Sequence, residues 1–256
     1  MLGPEHIVAR LKAIADARMR VLALVEAFGE GVDDPDVWVA ALDAILARAH
    51  LFDDADAVMA LECITHAAAE PSLAYEVRKR FYEAAIDFGK PAIARLFIAV
   101  SPSTPIPTQL QKQLGAERPL KPTGRPLTLG ERKALARTHR RDELKLLLRD
   151  PHPAVVAILL DNPHVTEADI VAVAAMRPAA PAALAKVAAH QRWSVRHAVK
   201  RALVLNPATP LADAIRLATT LRPHELAEIA ADPALPETLR AHAADVRVAA
   251  LRRPQA

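Results

Sequence analysis

Cysteine, glycine and aromatic residues are all scarce in this 256-residue chain. The one cysteine, Cys63, excludes an internal disulfide and leaves any cysteine-based zinc site without a second thiolate. Seven glycines are too few for a β-rich or flexible chain. Aromatics make up 4% of residues against 52% hydrophobic, so the core must be built from Ala, Leu, Val and Ile. Ala and Leu are the strongest helix formers, and small side chains let helices approach closely. No stretch approaches 18 uncharged apolar residues, so no membrane-spanning segment is expected. The chain opens Met-Leu-Gly-Pro-Glu-His and carries Lys12, Asp16, Arg18 and Arg20 among its apolar residues. That pattern reads as an amphipathic helix rather than a secretory signal, and makes the cytoplasm the expected location.

Proline is plentiful, with 21 residues that fall mostly at corners. Four segments begin alike. Glu70-Pro71 is followed by Val77-Arg78, Asp150-Pro151 by Val155-Val156, His190-Gln191 by Val195-Arg196, and Asp232-Pro233 by Leu239-Arg240. Asn162-Pro163 and Asn206-Pro207 interleave with them. The corners at 150, 190 and 232 are 40 and 42 residues apart, and the Asn-Pro corners are 44 apart. A period near 40 with two helices per unit predicts an all-α fold of the α-solenoid type.

The N-terminal part predicts helices over 5–28, 35–50, 54–69, 72–88 and 91–100. Pro4, Pro35 and Pro91 stand where a first helical residue needs no backbone donor. Asp34 and Ser72 stand as N-caps, Gly29, Gly31 and Gly89 as helix ends. Residues 101–126 hold six prolines and two glycines, which predicts a proline-rich linker between an acidic domain, 1–100, and a basic repeat domain, 127–256. Beyond it, Thr128 and Glu131 form a capping box, and short helices are expected near 142–149, 153–160, 166–175, 180–189, 194–205, 210–220, 224–230 and 236–250. Charge follows the division: 10 Lys/Arg against 16 Asp/Glu in 1–100, 19 against 13 in 127–256. Two oppositely charged halves could pack on each other or pair two copies into a homodimer.

The stretches DPHPAVVAILLDNPHVTEADIVAVA and HQRWSVRHAVKRALVLNPATPLADAIRLA resemble HEAT-like repeats and the leucine-rich-repeat variant of bacterial proteins. The shared elements are the polar corner, the Val-Arg step, the Asn-Pro-x-Thr/Pro corner and the helix that follows. The resemblance covers about 127–250 well and 54–100 weakly. It implies antiparallel helix pairs stacked into a right-handed superhelix, and a binding role as a scaffold or adaptor. HEAT-type hydroxylases hold two irons with several His-Glu pairs, whereas this chain has one, His224-Glu225. No HExxH, glycine-rich phosphate loop or G-x-S-x-G elbow occurs, so neither a catalytic residue nor a cofactor or metal is expected. Asp53, Asp54 and Asp56 read as a helix N-terminus favoured by the dipole.

Two basic clusters remain as candidate binding residues. Arg192, Trp193, Arg196, Lys200 and Arg201, with His197, fall on one helix in two stripes, Val195, Ala198, Val199 and Ala202 turning the other way into the stack. Ser194 as N-cap would instead leave Trp193 packed on Ala198 as a hydrophobic staple. Arg132, Lys133, Arg137, Arg140 and Arg141, with His139, Lys145 and Arg149, crowd a helix end, a turn and the next helix, more cations than capping needs. The function expected is a non-enzymatic interaction scaffold for a protein with an acidic surface. The alternative is nucleic-acid binding, since HEAT-like DNA glycosylases clasp DNA on a basic concave face.

Overall fold

The computed structural model describes residues 3–31, 34–51, 54–98 and 126–252. Among these residues the chain is all-helical, with sixteen helices and no strand. The expected linker, 101–126, lies outside the described residues except for Pro126. The chain forms two compact units, Met1–Val100 with Ala218–Ala256, and Ser101–Leu217. The expected division put 127–256 in one basic domain; here 218–256 group with the first hundred residues instead.

The first unit holds α1 (Pro4–Ala13), α2 (Ala17–Glu30), α3 (Pro35–Ala49), α4 (Ala55–Ala69), α5 (Tyr75–Asp87), α6 (Pro91–Leu96), α15 (Pro223–Ala231) and α16 (Glu237–Leu251). Pro4, Pro35 and Pro91 each open a helix. The single helix expected over 5–28 is two. Asp16 caps α2 by accepting from the Met19 amide at 2.8 Å, and Arg20 Nε donates to the Ile14 carbonyl at 2.6 Å, so the break is closed from both sides. Asp54 caps α4 in the same manner, accepting from the Ala57 amide at 2.8 Å. Ser72 does not open α5, which begins at Tyr75 because the preceding turn is held by the buried Arg78. Its guanidinium donates to the carbonyls of Ala68, Glu70 and, at 3.2 Å, Leu73, closing the end of α4. Gly89, at φ 63°, ends α5 in the left-handed conformation that favours glycine, and the Lys90 amide reaches back to the Ala85 carbonyl at 2.7 Å.

Four of the few aromatics gather in this unit's core. Phe28 lies 5.1 Å from Trp38, 5.2 Å from Phe81 and 5.6 Å from Phe97, measured between ring centroids. α3 runs through the middle with Val39, Leu42, Ile45 and Leu46 fully buried, and packs on α4, α5 and α16. α16 is tied in by Arg95, whose Nη1 lies 2.5 Å from Asp245, and by Arg252, 3.4 Å from Asp43. His50 Nε2, just past α3, lies 3.2 Å from the Thr219 carbonyl, and the Thr219 hydroxyl lies 2.8 Å from His242 Nε2.

The second unit holds α7 (Leu129–Leu135), α8 (Arg141–Leu147), α9 (Pro153–Asp161), α10 (Glu167–Ala175), α11 (Pro181–Ala189), α12 (Gln191–Ser194), α13 (His197–Val204) and α14 (Leu211–Ala218), the last residue of α14 falling at the boundary. α9 packs on both α7 and α11, and α10 packs on α13. The Thr128–Glu131 capping box forms, and Thr166 with Asp169 makes a second one. The Asn-Pro corners do equivalent work. Asn162 Nδ2 donates to the carbonyls of Ala136 and Thr138, both at 2.9 Å, while its oxygen accepts from the His164 amide at 2.8 Å. Asn206 Nδ2 donates to Ala174 and Met176, both at 2.8 Å, and accepts from the Ala208 amide at 3.1 Å. Each asparagine thus starts its own turn and closes the end of an earlier helix. No other side chain of that size both donates twice and accepts.

Candidate interaction surface

The expected helix over 194–205 breaks into α12 and α13, and the break rearranges the first basic cluster. α12 is a single turn, held by the amides of Trp193 and Ser194 donating to the His190 carbonyl. Trp193 is 2% exposed, and its indole N–H donates to the Leu160 carbonyl at 2.8 Å. A buried indole needs such an acceptor, and reaching the end of α9 draws the turn inward. The chain then leaves helix at Val195 and restarts with Arg196 as the N-cap of α13. Two expectations are corrected by this break. Arg192, Arg196 and Lys200 do not share one helical stripe, and Ser194 caps nothing. Val195 and Ala198, expected in the stack, are exposed, Val195 by 50%, while Val199 is buried.

What results is a compact corner. The Arg192 guanidinium lies 4.3 Å from the Trp193 ring centroid, a cation–π stack that orders the long side chain. A stacked guanidinium still directs its edge N–H groups outward, the geometry that grips carboxylates in pairs. Arg196 and His197 are exposed beside Val195. His190 Nε2 lies 3.1 Å from the exposed Asp161 carboxylate, which ties the same corner to α9. Lys200 is buried, and Arg201 is exposed.

The second cluster divides in a different way. Arg132 is buried with its Nη1 2.6 Å from both oxygens of the buried Asp150, so it belongs to the interior and not to a surface. Arg141 is exposed but engaged, reaching Asp169 at 2.5 and 2.9 Å and the His164 carbonyl at 3.1 Å. Burial alone would raise the Asp169 pKa; the hydrogen bonds from Arg141 and Thr166 outweigh it and hold that carboxyl below its ordinary value. Arg140 pairs with Glu143 at 3.0 Å on the surface, and Arg137 donates to the Lys133 carbonyl at 2.9 Å. Lys133 is half-buried, and Arg137 and Lys145 are exposed. Of the ten candidate residues, Arg192, Arg196, Arg137 and Arg140 are exposed, and none of the bonds described for them goes to a buried carboxylate.

Sequence reasoning missed Val195 as a surface residue, because an apolar residue at helical spacing reads as core. The signal that would have exposed the break is Trp193, which needs a long-range acceptor for its N–H. Among the described residues no group of three or more His, Cys, Asp or Glu is placed to hold a metal ion, and no helix is long and apolar enough to cross a membrane. No family model, no curated protein and no solved structure matches this chain.

Proposed function

We propose that this chain is a HEAT-like helical repeat module that works by binding, as a scaffold or adaptor, and that its basic half docks an acidic protein surface. The observation that carries the reading is the α12–α13 corner, where ordered Arg192, exposed Val195 and Arg196 combine paired donors with an apolar centre. Interfaces are commonly anchored in this way, by arginine and a desolvated apolar contact. The equivalent asparagine clamps at 162 and 206 and the corners after α8, α11 and α15 support the repeat reading and the stacked superhelix. The buried Arg78 and the buried Arg132–Asp150 pair serve structural bonds, which favours binding over catalysis for these cations. The Trp193 ring is packed inside and topped by Arg192, so it offers bases no stacking platform, and this favours a protein ligand over nucleic acid.

The test compares the full-length chain with an Arg192→Glu/Arg196→Glu variant in capture from nuclease-treated extract. Retention of a protein partner by the wild type and its loss by the variant, at unchanged melting temperature, is the expected result. Exposed charges contribute under about 1 kcal/mol each, so folding and binding separate. Capture that vanishes on nuclease treatment, or tight and steeply salt-dependent binding to mixed-sequence duplex DNA, would transfer the surface to nucleic acid.

A further inference from the structure

Both tyrosines of the chain sit on one exposed line of α5. Tyr75, Lys79, Tyr82 and Ile86 are spaced four, three and four residues apart, the spacing of a heptad seam, and so share a narrow stripe of the helix. Tyr75 is 63% exposed, Tyr82 39% and Ile86 48%, and Phe88 just past the helix is 50% exposed. The opposite face carries Val77, Arg78, Phe81, Ala84 and Ala85 into the core, so the stripe is a second, outward apolar face rather than a misplaced inner one. In a chain with 4% aromatics and two tyrosines, placing both tyrosines on one exposed line is a concentrated exposure.

The rim of the stripe selects its occupant. At 100° per residue, Glu83, Glu76 and Asp87 follow the stripe on one side, all exposed, with Arg80 beyond them. Lys79 within the stripe lies 4.0 Å from Glu83 and offsets part of that charge. An antiparallel second copy of α5 would set Glu76 against the partner's Glu83 twice over, a like-charge arrangement. An amphipathic helix with Lys or Arg along one flank meets the rim with opposite charge and lays its apolar side on the tyrosines.

We propose that the α5 stripe is a docking site for a basic-flanked amphipathic helix of a partner protein, distinct from the basic corner at α12–α13. From Tyr75 to Ile86 the stripe covers 12 residues, roughly 16 Å of helix, so it accommodates about three turns of the partner. An interface of this size is at the weak end for specific recognition, and a Kd in the micromolar range is expected.

The experiment uses the full chain and two synthetic 14-residue helices with identical leucines at i, i+3, i+4, i+7 positions, one flanked by lysine and one by glutamate. Fluorescence anisotropy should show the lysine-flanked helix binding at least tenfold tighter. Tyr75→Ser/Tyr82→Ser should weaken it at least tenfold with an unchanged thermal transition, since both side chains are exposed. Glu76→Lys/Glu83→Lys/Asp87→Lys should reverse the preference toward the glutamate-flanked helix, an outcome that loss of folding cannot mimic. Equal binding of both helices, or none below millimolar, overturns the proposal. So does concentration-dependent dimerisation abolished by Tyr75→Ser, which would give the stripe to a second copy. Displacement of the probe by a peptide of residues 101–126 would give it to this chain's own segment and overturn the proposal equally.

Discussion

Asn206 is buried and satisfies two carbonyls of an earlier helix end while holding its own turn. Replacing it with Ala leaves two interior acceptors without donors, and the cost of an unpaired buried group is about 1–3 kcal/mol. Asn206→Ala should therefore lower stability by about 2 kcal/mol, and Asn206→Asp by more, because a carboxylate cannot donate to either carbonyl. Urea unfolding measures this; a loss below 0.5 kcal/mol, by the same principle, would mean that water replaces the side chain. At this scale the sequence announced its corners clearly. Asn-Pro at 162 and 206 marked turns because the asparagine side chain can accept from the amide two residues on. It did not announce the carbonyls at the far end of each clamp, 24 to 32 residues back in the chain. Arg132 was obscured for the same reason, since nothing local to it signals a buried carboxylate at position 150.

Helices were legible wherever their termini are written in neighbouring residues. Pro35, Pro91, Pro153 and Pro181 open α3, α6, α9 and α11, and the Thr128 box opens α7, because capping is a contact within one turn. The α12–α13 break was not legible, since residues 194–205 keep an unbroken helical pattern and the break is imposed by the Trp193 indole reaching Leu160. The break inverts the consequence of charge at two apolar positions. Val195→Asp places a carboxylate in water and should change stability by under about 0.5 kcal/mol, the usual range for surface substitutions. Val199→Asp buries an unpaired charge and should unfold the second unit at ambient temperature. Thermal melts of the two variants test this directly. Similar losses in both would restore the continuous helix.

For the whole molecule, the decisive finding is that α16 packs on α3 and α6 across most of the chain's length. Composition cannot show this, because an alanine-rich amphipathic helix suits many neighbours. The tie carries a pH dependence. Burial lowers the His50 pKa and its hydrogen bond to the Thr219 carbonyl only partly counters that, so the folded state favours neutral imidazole. For a histidine held below its unfolded pKa of about 6.5, the stabilisation is fully present above that pH. It is lost as pH falls from there toward the folded value, with a slope no steeper than about 1.4 kcal/mol per pH unit. Denaturant unfolding at pH 7.5 and 5.5 should show the first unit losing stability on acidification. His50→Gln should reduce that loss; an identical loss in the variant would assign the effect to the other histidines.

The α3–α16 contact also sets an order of events during synthesis. The second unit closes its bonds over short separations, so it can assemble while the ribosome is still translating. The first unit has its opening helices made early, yet α3 waits for α16, about 150 residues beyond residue 98. At about 5–20 residues per second, that interval is on the order of 10–30 s. Throughout it, the α3 face that will meet α16 has no native cover. A nascent-chain chaperone would find its binding surface here, on helices synthesised well before the helix that covers them.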